Sequence, residues 1–243
     1  MRKSVLIIAG FIVPAFGCGL LEENVSVLQS EPQSTSQNSL TNQEVVSGLK
    51  EALSVGVKNA VSTTSVKDGF LENAKIKLPF PPSAEKMKQR AMDWGMASQV
   101  DQIVTTMNRA AEDAASEAAP IFLDAVKNMS VNDGFKILKG GEGAATDFLR
   151  RQTTGDLIES FAPKVEESIQ KVKLTEYWNP VAKRYNKAAR FTGDEPVDAD
   201  LNQYVTERAI AGLFTMVEQE ENKIRKDPKA RVTETLQKVF SNL

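Results

Sequence analysis

The 243-residue chain contains no histidine and one cysteine. Without an imidazole there is no Ser-His-Asp or Cys-His catalysis, no His-ligated zinc and no Glu-x-x-His di-iron site. A single thiol leaves no internal disulfide. Positive charge is not in excess either: 30 Lys and Arg stand against 32 Asp and Glu. That balance argues against a nucleic-acid binder, which needs a basic patch or stripe. Gly140-Gly141-Glu142-Gly143 is not followed by Gly-Lys-Ser/Thr, so it is no Walker A loop, and no Asp-x-Asp-x-Asp-Gly calcium loop occurs. These glycines read as the end of one helix and the turn into the next. No cofactor is indicated, and a metal would have only carboxylates to hold it. What is present is a hydrophobic content of 41%, enough for one real core.

Arg2 and Lys3 precede the apolar run from Val5 to Val13, which is far short of the roughly 20 residues that span a bilayer. Charge, short apolar stretch and small residues together read as an export signal over residues 1–17. Cys18, with Gly17 before it, sits where a bacterial lipoprotein carries its acylated cysteine, so the expected partner is a membrane reached through lipidated Cys18. Ala15-x-Gly17 also satisfies the small-x-small rule of ordinary signal peptidase, which leaves a soluble periplasmic or secreted chain as the alternative. Residues 24–40 are rich in Ser, Gln, Asn and Thr, and such a composition cannot offset its ordering entropy. Residues 18–40 therefore read as an attachment point and a flexible tether reaching about 25 Å. Gly19 stands where enteric-type sorting places the Asp of inner-membrane retention, which by that analogy points to the outer membrane.

From Thr41 onward the signals are helical. Thr41-x-x-Glu44 predicts a capping box, and related spacings recur at Ser65/Asp68, Ser98/Asp101, Ser130/Asp133, Thr153/Asp156 and Asp200/Gln203. Asp227-Pro228 adds an N-cap followed by proline at the first helical position. Val100, Ile103, Val104, Met107, Ala110, Ala111, Ala114, Ala115 and Ala118 share one helical arc about 140° wide. Gly48, Ala52, Gly56 and Ala60 place a small residue at every fourth position, which predicts close helix packing. Ser65–Phe70 (SVKDGF) is echoed by Ser130–Phe135 (SVNDGF), each copy reading as a Ser-capped helix start. Only Ile76 to Phe80 has an extended look. The prediction is all-α: a compact single-domain array of about eight to ten helices joined by short loops.

Several stretches in this order resemble one family. They are Met107-Asn108-Arg109-Ala110-Ala111-Glu112, Ile137-Leu138-Lys139-Gly140 leading to Ala144-Ala145-Thr146, Tyr204-Val205-Thr206 through Gly212-Leu213-Phe214, and Ile224-Arg225-Lys226-Asp227-Pro228-x-x-Arg231. The chain resembles the bacterial domain of unknown function numbered 4197, whose members are often exported or lipid-anchored. The resemblance covers about residues 41–241. It implies a single helical domain, running here over 41–243, and brings no reaction and no ligand.

Candidate functional groups follow from the stripes. In the helix Leu201–Lys226, Glu220 projects into the arc of Val205, Ala209, Ile210, Leu213, Met216, Val217 and Ile224. A carboxylate there needs a partner, because burying an isolated charge is costly. Arg109, Arg150, Arg151 and Arg225 are the available cations, and Asn108 and Glu112 flank the stripe of their own helix. The expected buried polar network is thus Asn108, Arg109, Glu112, Glu220 and Arg225. Glu218, Glu221, Asn222 and Arg225 also read as a solvated, salt-bridged face. Tyr177, Trp178 and Tyr185 line either a groove for lipid or peptide or simply the core. Three functions are compatible with this pattern: a non-enzymatic, membrane-tethered envelope protein acting by contacts, a helical carrier of a lipid or other apolar ligand, and a carboxylate-based envelope enzyme using Glu220.

Overall fold

Eight α-helices and one 3-10 turn, with no strand, account for the regular structure of residues 41–198, 200–227 and 237, which are the residues described by this computed structural model. The export signal, Cys18, the tether and Pro228 lie outside them. In order, the helices are α1 (Asn42–Thr64), α2 (Glu85–Asp93) after the 3-10 turn Pro82–Ala84, α3 (Ala97–Ala115) and α4 (Ala118–Asn128). They are followed by α5 (Val131–Lys139), α6 (Ala144–Lys171), α7 (Leu174–Thr192) and α8 (Asn202–Lys226). Residues 40–243 form one compact unit. The all-α expectation holds, with eight named helices among the described residues.

Two of the six cap spacings work as capping boxes. Thr41 Oγ1 accepts from the Glu44 N–H while the Thr41 N–H donates to Glu44 Oε2, and Ser130 and Asp133 do the same at the start of α5. The others serve elsewhere. Ser98 lies inside α3, which starts one residue earlier. Thr153 is mid-helix in α6 and bonds back to the Leu149 carbonyl. Asp200 accepts from the Asn202 N–H ahead of α8. Ser65 ends α1, and Asp68 adopts a left-handed φ of 71°. Of the two echoed segments, therefore, only Ser130–Phe135 opens a helix. Asp227 is the C-cap of α8, and the start of the helix it is expected to open lies outside the described residues. A short polar side chain can cap a helix, end one or bond within it, and spacing alone does not separate these uses.

Residues 65–81 connect α1 to the 3-10 turn along the side of the core, with Phe70, Ile76, Leu78 and Phe80 buried and Lys67, Glu72, Lys75, Lys77 and Pro79 exposed. α8 is packed by α1, α3 and α6, and its buried residues run from Gly212 round to Phe214, an arc of about 200° at helical spacing. The small-residue ladder of α1 is buried along its length, and Gly56 lies opposite the stem of Glu220. The α3 stripe is buried from Val100 to Ala115, with Val104 half-buried at its edge. Trp178 and Tyr185 are core residues, Trp178 resting on Phe80 with ring centroids 5.6 Å apart. The glycine run ends α5 at Gly140 and turns the chain through positive φ at Gly141 and Gly143 into α6.

Two glycines make opposite predictions. A methyl on Gly212 would lie 2.6 Å from a ring carbon of the buried Phe70, whereas one on Gly155, in exposed α6, would meet nothing. Gly155→Ala should stabilise by about 0.5–1 kcal/mol through helix propensity. Gly212→Ala should destabilise by about 1–3 kcal/mol through overpacking. Denaturant melts in which both variants move the same way would contradict this packing.

Candidate functional site

The predicted polar network divides into two separate clusters and one rim contact. The first is built on α3. Asn108 is fully buried, and its side-chain amide closes two hydrogen bonds with the Leu78 backbone, accepting from its N–H and donating to its C=O, both at 2.9 Å. The amide thereby pairs with Leu78 as a neighbouring strand would, although the expected extension of Ile76–Phe80 is not a strand: Ile76 lies in a turn closed on the Asn73 carbonyl. One turn on, Glu112 Oε1 accepts from the backbone N–H of Phe70 and of Leu71, both at 3.1 Å. Arg109 neutralises this carboxylate at 2.6 Å and reaches Asp68 with its other terminal nitrogen, also at 2.6 Å. Asp68 is missing from the sequence-level network. The Asp68-Gly69 turn was its only local signal, and an Asp tolerates the left-handed region better than most residues.

The second cluster corrects the position of the buried acid on α8. Glu220 is not the central buried carboxylate: its side chain is 19% exposed, accepts from Asn59 Nδ2 at 2.9 Å and lies 3.7 Å from Lys223 Nζ. The buried acid is the next residue, Glu221, with a 4% exposed side chain. Its oxygens accept from the N–H of Ala145 at 3.0 Å, the N–H of Thr146 at 2.9 Å and the Thr146 hydroxyl at 2.8 Å. Arg225 donates Nε to Glu221 at 2.9 Å and Nη2 to the Ile137 carbonyl at 2.9 Å. Glu221 and Arg225 are therefore not part of a solvated face.

The physical reason is the width of α8's buried arc. One stripe centred on Leu213 places residue 220 inside and residue 221 at the edge, but α6 covers that edge. On the other side, the stem of Glu220 packs on Gly56 while its carboxylate emerges beside α1. A signal for Glu221 did exist: α6 starts after Gly143 with no side-chain cap of its own, so its first N–H groups needed an acceptor from elsewhere.

Arg150 lies over the Phe214 ring at 4.5 Å rather than against an acid. Asp113 ties α3 to α6, accepting from Ser168 at 2.7 Å and from Lys171 at 2.9 Å. Partial burial pushes its carboxyl up, but those hydrogen bonds and the charges of Lys171 and Lys164 outweigh burial and hold it below its ordinary value. A lowered folded pKa means that this contribution is complete above the ordinary value of about 3.9 and is lost as pH falls through the folded value. Asp113→Asn should therefore flatten the acid limb of a stability–pH profile. An unaltered limb in that variant would remove Asp113 from the acid response.

The clefts among the described residues include the following three. One of about 370 Å³ lies between α5 and α6 and carries charges of both signs, including Lys136, Arg151 and Asp147. A second of about 200 Å³ adjoins it at Asp133, Phe148 and Gln152, with Asp124 and Asp156 on its walls. The third, about 350 Å³, is bounded by Ile169, Leu174, Trp178 and Leu201. None of them is lined by Glu112, Glu220 or Glu221. No group of three or more acidic or thiol side chains among the described residues is placed to hold a metal ion.

Removal of one partner from a buried ion pair costs about 3–5 kcal/mol, since the other is left unpaired. Glu221→Ala, which strands Arg225 and two backbone amides, should lose that much, and Glu221→Gln less. Glu220→Ala removes a rim contact and should cost under about 1 kcal/mol. Equal losses at the two positions in urea melts would refute this division of roles.

No curated protein and no solved structure matches the chain. A family match extends over residues 39–241 and takes in both glutamate clusters and every helix that supplies them. The chain belongs to the family described as protein of unknown function (DUF4197).

Proposed function

We propose that the chain is a lipid-anchored helical protein of the bacterial cell envelope that works through contacts rather than through a reaction. The supporting observation is how its buried acids are used. Glu112 and Glu221 are both committed to backbone N–H groups and an arginine. A general acid or base must be able to reach a substrate's proton, and these two face none of the three clefts. Glu220, the carboxylate of the enzyme reading, is engaged with Asn59.

No helix among the described residues is long and apolar enough to cross a membrane. In this reading attachment falls to Cys18, after removal of residues 1–17, with residues 19–40 holding the body off the outer membrane. One observation favours the second reading, a carrier. The cleft of about 350 Å³ has Ile169, Leu174 and Leu201 on its walls beside Glu166, Gln170, Asp200 and Asn202, and the buried Nε1 of Trp178, which also borders it, lacks a hydrogen-bond partner.

Mass spectrometry of the protein isolated from native envelopes tests both. The mature chain should begin at Cys18 and carry acyl chains, and Cys18→Ser should release the body into solution. An unmodified Cys18 at the terminus would leave only secretion, and another first residue would remove the cleavage assignment as well. A stoichiometric lipid bound beyond the acyl chains would favour the carrier over the contact protein.

A further inference from the structure

The C-terminal half of α7 carries charge of one sign, although the segment that follows and packs back on it through Asn186 and Val197 brings Asp194, Glu195, Asp198 and Asp200. From Val181 to Thr192 it carries Lys183, Arg184, Lys187 and Arg190 and no acid, in a chain whose net charge is −2. At 100° per residue, Arg190, Lys183, Lys187 and Phe191 fall within an arc of about 100°. All four are exposed, and Phe191 is 86% exposed, far more than the other large hydrophobic side chains on the surface. The opposite face of the helix is buried, through Trp178, Val181, Ala182, Tyr185 and Ala189. Among the described residues Lys183, Lys187 and Arg190 form no ion pair or side-chain hydrogen bond. Arg184 is held over the Trp94 ring at 4.6 Å, and Asp194, just past the helix, is engaged by Lys86 and Thr192. Cations near a helix C-terminus favour the helix dipole. That accounts for Arg190 and for Lys187 in part, but not for Lys183 or for a phenylalanine left in water.

We propose that this face of α7 docks on an anionic lipid bilayer, with Lys183, Lys187 and Arg190 at the headgroup phosphates and Phe191 inserted at the interface. The apolar face of α7 is already buried in the protein, so the attraction would come from the basic side chains at anionic headgroups, with the exposed aromatic ring entering the interface beside them. The proposal rests on the envelope reading and deepens it.

The test uses residues 18–243 carrying Cys18→Ser, so that no acyl anchor contributes. This chain should sediment with vesicles of phosphatidylglycerol and phosphatidylethanolamine, should not sediment with phosphatidylcholine vesicles, and should be released by high salt. Each basic residue at an anionic surface strengthens partitioning about fivefold. The triple variant Lys183→Gln, Lys187→Gln, Arg190→Gln should therefore lose at least tenfold in partitioning, and Phe191→Ser several-fold, with unchanged helix content and melting. The charge-matched control Lys58→Gln, Lys67→Gln, Lys77→Gln should bind like the parent. Equal binding to neutral vesicles, full binding by the triple variant, or no vesicle binding by the parent would each overturn the proposal. Capture by polyglutamate without vesicle binding would overturn it too, by assigning the face to an acidic protein. Because Cys18 is absent from this assay, its failure leaves the lipid anchor standing, and failure of the anchor leaves the vesicle result standing.

Discussion

A carboxylate taken out of water must recover its lost hydrogen bonds and charge balance from the protein, and two such groups organise this fold. Glu112 and Glu221 meet the requirement in the same way. Each accepts from two consecutive backbone N–H groups of a distant segment and is neutralised by an arginine on its own helix, three residues before Glu112 and four after Glu221. The need is mutual. A backbone segment buried without acceptors for its N–H groups is as costly as an unpaired side chain. Where the connection at residues 65–81 turns inward, Asn108 and Glu112 satisfy the backbone of Phe70, Leu71 and Leu78, and α6 can begin at glycine because Glu221 caps it.

Packing follows from these two fixed points. Glu112 and Asn108 hold the connection against α3, and Phe70 from that connection fills the space beside Gly212 on α8. α8 in turn caps α6 through Glu221 and receives the small-residue face of α1 at Gly56. Asp113 adds a third tie, between α3 and α6. Polar groups that specify geometry in this way favour a single arrangement over merely compact alternatives. The two buried acids, Glu112 and Glu221, are thus turned inward. What the body offers outward is surface, and on α7 that surface combines unpaired cations with an exposed aromatic ring.

The sequence alone was sufficient for the fold class. Apolar residues at helical spacing, the capping boxes at Thr41 and Ser130, and the helix-ending glycines at 140–143 are local signals, and each depends on residues within a turn or two. The family was legible for the same reason, in short ordered stretches. Asn108, Arg109 and Glu112 could be picked out together because polar residues beside a strong apolar stripe must find a partner. Tertiary structure decided where polarity is actually buried. Whether residue 220 or 221 is inside depends on α6 and α1 covering different sides of α8. Whether Ser65 or Ser130 opens a helix depends on where the core draws the chain inward. A helix start capped from 75 residues away shows locally only that its own cap is missing, not which residue supplies the acceptor, because the acceptor is chosen by proximity in space and not along the chain.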